Sequence, residues 1–433
     1  MGCLVERRLT HLCAGAAYDV SCADERPEPA RASVLKNLAG FHDAEDRKIP
    51  GISHVNCGGR QMPVLKILQT SHCQFNCNYC AFRRDLDRPR ESLSPAEIAS
   101  ITTQMSGAGL VEGLFLSSGI GGSIRETMTR IVDTARILRE KHLFTGYIHL
   151  KILPGSTVDL IEAAGHYADR LSVNMEAPTE SALRDIAPNK SIKSGILSQM
   201  QSVETLRRQG RIPYRVGQVT QFVVGGSDDP GANDRAMVLV ADYLYRELEF
   251  RRIYYSAFDP VPGTPLQDRA AEDPRRSHRL YQADRLVALY GFKPDEFIFN
   301  ESGKLDLDAD PKETWARSHP ELFPIDVATA EPIQLLRIPG VGPLLAKRIL
   351  QARVENRLKS VDDFLKLGRV SRKALDYILV NGRAAVMLPG PVRDRKPPQL
   401  ELPFGAMLPD PAGAETARTP LQETAALFSN TIH

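Results

Sequence analysis

Three cysteines stand close together in the run Cys73-Gln74-Phe75-Asn76-Cys77-Asn78-Tyr79-Cys80, a C-x3-C-x2-C spacing. Thiols gathered on one loop suit a metal better than a disulfide framework, and the odd total of seven cysteines points the same way. Cys thiolates at such short spacings hold iron–sulfur clusters. Three ligands rather than four leave one coordination position open, which is the mark of a reactive centre rather than a structural one. Zinc is the alternative. It would need a fourth ligand, and His72, adjacent to Cys73, is badly placed to be one. Cys3, Cys13, Cys22 and Cys57 form no C-x2-C pair, so a second cluster is not expected. Cys22 is either a buried structural thiol or a thiol near the active site.

Other residues with chemical potential lie on apolar runs. His149 and Lys151 alternate in 147–152, and Asn174 and Glu176 alternate at the end of 170–175 and just beyond it. Polar groups at alternate positions of apolar strands imply a wet interior site rather than a packed core. Far downstream, Pro339-Gly340-Val341-Gly342-Pro343 separates two helical runs, with Leu344, Leu345 and Ile349 on one expected face of the second. Backbone N–H groups at the start of a helix favour an anion such as a phosphate. Lys347 and Arg348 add charge of the kind that positions DNA without reading its sequence. A degenerate second copy, 361–375, keeps Gly368 and loses the other glycine. Residues 326–385 carry eleven Lys and Arg against six Asp and Glu, a net +5. That charge favours nucleic acid over the alternative, a small protein-interaction domain.

The elements that must position these groups form a repeat. Strand-like runs fall at 64–69, 114–117, 147–152, 170–175, 216–224 and 252–258, with helical patterns between them. Ser94-Pro95-Ala96-Glu97 is a capping box with Pro at the first helical position. Such alternation implies parallel strands joined by right-handed crossovers. Periodicity does not separate an open doubly wound sheet from a curved (βα)6 partial barrel. The 433 residues divide on this reading into an N-terminal extension (1–59), a core (60–325), a helical basic unit (326–385) and a disordered tail (386–433) rich in Pro, Ala and Thr. The chain as a whole is 42% apolar, 25% charged and of net charge +2, so any nucleic-acid signal is regional. No run reaches the ~20 apolar residues of a membrane helix. Glu6, Arg7 and Arg8 interrupt any export signal, so the expected location is the cytoplasm.

The C-x3-C-x-aromatic-C run after the first strand of a βα repeat resembles the radical S-adenosylmethionine (SAM) superfamily, over roughly residues 60–300. The resemblance implies an α/β fold, a (βα)6 partial barrel, with Cys73, Cys77 and Cys80 on three irons of a [4Fe–4S] cluster. The fourth iron would take the amino and carboxylate groups of SAM. An electron, supplied by an external donor, would then cleave SAM to methionine and a 5′-deoxyadenosyl radical. By the same resemblance Tyr79 packs near the adenine, and Ser117, Ser118 and Gly119 approach the SAM amino group. Lys151, Asn174 and Glu176 line the cofactor site, the strand-four pair at its ribose and methionine part. Gly225 in 223–228 lies near the adenine, although Gln221 stands where an earlier Gly is usual. The turn Asp259-Pro260-Val261-Pro262-Gly263-Thr264 resembles one found after strand six.

Together with the hairpin segment, which resembles a helix-hairpin-helix motif, the chain is similar over residues 10–385 to radical SAM proteins described as DNA modification or repair proteins. That likeness implies a small all-α domain binding DNA through Gly340, Gly342, Lys347 and Arg348, and a nucleotide as the site of hydrogen abstraction. An RNA or tRNA substrate, or an iron–sulfur DNA-binding sensor without turnover, remain open. In the tail, Gln399, Leu400, Leu402 and Phe404 resemble the peptide that docks on the DNA sliding clamp, with Pro403 inserted between Leu402 and Phe404.

Overall fold

The computed structural model describes residues 2–16, 28–31, 48–57, 60–368 and 370–384. Cys22 and the clamp-like segment at 399–404 lie outside them. Contacts divide the described residues into two compact units. One runs to Ala232 and resumes over Tyr243–Ser277; the other takes Asn233–Asp242 and continues from His278.

The first unit is built on one eight-stranded sheet: β1 (Glu28–Arg31), β2 (Lys48–Cys57), β3 (Arg60–Leu68), β4 (Gly113–Ser117), β5 (Tyr147–Lys151), β6 (Arg170–Ser172), β7 (Gly217–Val224) and β8 (Arg252–Ala257). The strands lie side by side in chain order. β1, β2 and β3 pair antiparallel, and β3 to β8 pair parallel. A doubly wound sheet reverses its strand order at a switch point. This one never does, so its six parallel strands form the partial barrel. Helices α1 (Gly2–Ala16), α2 (Pro95–Gly107), α3 (Ile124–Arg136), α4 (Val158–Tyr167), α5 (Glu180–Ile186) and α6 (Ser198–Arg208) belong to this unit, while α7 (Asp234–Glu247) and α8 (Pro274–Tyr290) each begin in one unit and end in the other.

Register sorts the side chains. Leu65, Leu114 and Ile148 align on one face and are almost wholly buried, as expected of parallel strands covered by helices. Lys66, Phe115 and His149 align on the opposite, inner face. The capping box holds: Ser94 Oγ accepts from Glu97 N, and the Glu97 carboxylate accepts from Ser94 N at 2.7 Å. Such a cap stabilises a helix by about 1 kcal/mol. Residues that the sequence suggested as an extension contribute α1, β1 and β2 to this same unit. α1 buries Leu9, Leu12 and Cys13 and ties down through Arg8, which donates to Ser92 O and pairs with Glu97.

The second unit contains α9 (Pro311–Ser318), β9 (Ile325–Asp326), α10 (Pro332–Arg337), α11 (Pro343–Val354), α12 (Val361–Leu365), a 3-10 turn (Arg372–Tyr377), β10 (Ile378–Val380) and β11 (Arg383–Ala384). Its core gathers Leu335, Ile338, Val341, Ile349, Phe364 and Ile378. The helical pattern gave no sign of its three-stranded sheet, whose strands are only two or three residues long.

Candidate functional site

The cysteine loop follows β3 and is fastened on three sides. Toward β4, Gly119 N donates to Thr70 O at 2.8 Å and Gln74 N to Ile120 O at 3.0 Å. A Cβ on Gly119 would lie 2.2 Å from the carbonyl oxygen of His72, so only glycine lets the end of β4 approach the loop this closely. Toward α5, Asn78 donates from its backbone to Ile186 O and from Nδ2 to Asp185 O, both at 2.7 Å. Asn76 N donates to Asn189 Oδ1 at 2.8 Å. On the third side Arg90 acts as a clamp. Its Nη1 donates to Ser71 O and Phe82 O, and its Nη2 to Arg83 O and Leu86 O, at 2.7–3.0 Å. One guanidinium, with donors in a rigid fork, thereby fixes four loop carbonyls.

Cys77 is buried, while Cys73 and Cys80 are half-buried. Burial pushes the Cys77 thiol up to about 11 and the Cys80 thiol up to about 12. Such thiols keep their protons at neutral pH unless a metal cation replaces them. Among the described residues, no three His, Cys, Asp or Glu side chains form a single-ion site. A cluster that takes one thiolate per iron suits three cysteines spread over one loop better than a lone zinc ion does. Beside Cys73 lies a cavity of about 330 Å³ lined also by His72, Arg84, Ile120 and Gly122.

The loop after α5 brings in a residue that the sequence reading missed. Lys190 Nζ donates to Glu176 Oε1 at 2.7 Å, and Glu176 is 1% exposed. Burial opposes the Lys190 charge, but Glu176 and the cysteines outweigh it and hold the ammonium above its ordinary value. Glu176 sits at φ +65°, a left-handed conformation that costs a non-glycine residue of order 1–3 kcal/mol and clusters at functional sites. Its Oε2 has no hydrogen-bond partner among the described residues. Tyr79 turns toward the same carboxylate; burial first, then that charge, push its phenol well up. Ser118 Oγ is also buried without a partner among the described residues. Two orphaned oxygens and a strained carboxylate beside the cysteine loop fit a polar cofactor that completes them.

The remaining expected residues fall as follows. Ser117 is buried at the end of β4. Lys151 is buried, and its Nζ donates to Asn174 Oδ1 at 2.6 Å. Gly225 adopts φ +77°, with the Glu272 carboxylate where a Cβ would stand. The structure therefore brings Tyr79, Ser118, Gly119 and Glu176 to the cysteine loop. Lys151 and Asn174 form their own pair, and Gly225 packs on Glu272.

In the second unit the hairpin runs between α10 and α11. Gly340 takes φ +82°, and a Cβ there would meet the Ser371 side chain at 2.9 Å. Gly342 precedes α11, whose first residue is Pro343. Lys347 and Arg348 are exposed, and Arg348 Nη1 donates to Leu367 O at 3.0 Å. The buried face of α11 is Leu345, Ala346, Ile349 and Ala352. Leu344 does not share it: at 63% exposure it faces solvent, since the buried stripe of the helix runs through the neighbouring positions 345, 346, 349 and 352.

Comparison with known proteins gives one family match over each of these two segments. Residues 67–230 match the radical SAM superfamily, and residues 324–379 match the helix-hairpin-helix motif. The chain is 24% identical over 217 residues to 7,8-didemethyl-8-hydroxy-5-deazariboflavin synthase of Methanococcoides burtonii, an overlap of 46% of this chain and 61% of that enzyme. Among solved structures, methylornithine synthase (PylB) is 16% identical with a TM-score of 0.41, covering 51% of this chain and 60% of the other. The FeFe-hydrogenase maturase HydG of Carboxydothermus hydrogenoformans is 15% identical with a TM-score of 0.40, covering 51% and 50%. The chain thus spans about three-fifths or less of these relatives' lengths. The superfamily uses a [4Fe–4S] cluster and SAM. The chain carries a radical SAM superfamily domain followed by a helix-hairpin-helix motif.

Proposed function

We propose that this chain is a radical SAM enzyme acting on nucleic acid, with DNA as the substrate and modification or repair as the outcome. The observation that carries it is a cysteine loop, fixed beside an incompletely bonded buried carboxylate, in one chain with a +5 segment bearing the hairpin. When bound, the cluster supplies the electron that cleaves SAM and releases a hydrogen-abstracting radical. The chain's own residues hold and shield that chemistry. Cys73, Cys77 and Cys80 hold the cluster, and Arg90 and Asn78 keep their loop in place. Glu176 and Ser118 offer unfilled acceptors to the polar groups of SAM, and Tyr79 covers that side. The hairpin holds the backbone of the substrate strand, and a base that leaves the stack is the group offered to the radical. An external electron donor and, through residues 399–404, the sliding clamp complete the expected partners in the cytoplasm. Among the described residues no helix is long and apolar enough to cross a membrane.

Binding is the first test. Duplex affinity of the full chain should fall steeply with salt, with a slope of about −0.9 per phosphate contacted. Changing Lys347 and Arg348 to Ala should flatten that slope by about 1–2 and weaken all sequences alike. Salt-insensitive binding, or an unchanged double variant, would remove DNA from this reading. It would leave RNA, or a small molecule such as the name of the deazariboflavin synthase suggests.

A further inference from the structure

The second unit buries a lysine directly against the hairpin. Lys312, in the first turn of α9, is 6% exposed, and its Nζ donates to Val341 O at 2.5 Å. Val341 stands between the two hairpin glycines. The Tyr290 ring covers the same ammonium, 4.7 Å from Nζ to centroid, and its hydroxyl lies 3.0 Å from where a Cβ on Gly342 would be. Lys312 and Tyr290 are therefore the floor on which the hairpin rests.

Nearby acids are committed elsewhere. Asp310 caps α9 by accepting from Lys312 N and Glu313 N, and Glu313 is taken by Arg317 and Lys373. Among the described residues Lys312 has no ion-pair partner, and an unpaired buried ammonium is costly. An anion seated on the hairpin would supply the missing charge through the turn. This line rests on the nucleic-acid reading above.

We propose that Lys312 is a positioning residue for backbone phosphate at the Gly340–Gly342 hairpin. It holds the Val341 carbonyl inward and places positive charge beneath the turn, and a bound phosphate keeps its proton in place. The charged and titratable groups around it are Asp310 on its own helix, Arg337 on α10 and the Tyr290 phenol. Burial, with Asp310 opposing and Arg337 assisting, brings Lys312 down to about 7. The free protein thus loses this charge as pH rises through neutrality, while phosphate raises the value in the complex. Affinity is then highest below pH 7 and falls above it, by at most tenfold per pH unit for one linked proton.

The test titrates full-length protein with a labelled duplex at fixed salt from pH 6.0 to 8.5, as wild type, Lys312→Arg and Lys312→Met. Wild-type affinity should drop roughly three- to tenfold across the range, as one linked proton allows. Lys312→Arg should bind well throughout without the drop, because guanidinium stays charged. Lys312→Met should bind weakly and without pH dependence. If wild type binds in a salt-sensitive manner but shows the same pH profile as Lys312→Arg, the role of Lys312 is overturned and the DNA reading stands. That comparison does not depend on Lys312→Met folding. If wild type shows no salt-sensitive DNA binding at any pH, the DNA reading fails and the role of Lys312 with it.

Discussion

Alanine at Cys73, Cys77 or Cys80, one position at a time, is expected to abolish bound iron and SAM cleavage together. Each thiolate would serve a different iron, so none can stand in for another. The loop leaves little room for a substitute ligand. Gly119 packs against His72, Asn78 is bonded to the end of α5, and Arg90 fixes four carbonyls. Cys13 is the natural control. It lies on the buried face of α1 and packs against Gly51, so Cys13→Ala should keep the cluster. Iron and sulfide content after anaerobic reconstitution, with the spectrum of the reduced protein, reads the outcome. Full iron content in any of the three loop variants would reject its cysteine as a ligand.

The second large effect concerns Lys190. Lys190→Met leaves the Glu176 carboxylate, 1% exposed, without its partner. Breaking a buried pair from one side costs about 3–5 kcal/mol. For a unit of this size that is a fall in melting temperature of about 10 °C. Removing both charges, as Lys190→Met with Glu176→Gln, is close to neutral in comparable buried pairs. The double variant should therefore regain most of the lost stability while losing affinity for SAM. Thermal unfolding of the single and double variants, with SAM binding measured alongside, separates the two roles. An unchanged melting temperature in Lys190→Met would show that the pair does not carry the charge balance assigned to it.

How much of this was legible in the sequence follows from the range of the forces involved. Six parallel strands could be read because strands buried on both faces must be apolar runs, and the cap at Ser94 is a local signal. β6 was expected to reach residue 175 and stops at Ser172. The reason is long-range: Thr220 Oγ1 donates to Val173 O and accepts from Met175 N, which takes both groups out of the ladder. β2 carries Pro50 and Gly51, which read as turn residues. The helical pattern at 125–142 is α3 followed by a π turn over Ile137–Lys141, a difference of one hydrogen-bond register that periodicity does not resolve. The three cysteines were legible because their chemistry requires short spacing. Arg90, Lys190 and Lys312 were not, since each acts on groups brought near only by the fold.

The central claim is that the cysteine loop generates a radical from SAM in the service of a nucleic-acid substrate. The direct measurement is 5′-deoxyadenosine formed by the anaerobically reconstituted chain with reductant and SAM, alone and with duplex DNA, single-stranded DNA or RNA. The account predicts formation that depends on Cys73, Cys77 and Cys80 and rises when DNA is added. No 5′-deoxyadenosine under any of these conditions, from protein with full iron and bound SAM, would contradict it and leave an iron–sulfur sensor in its place.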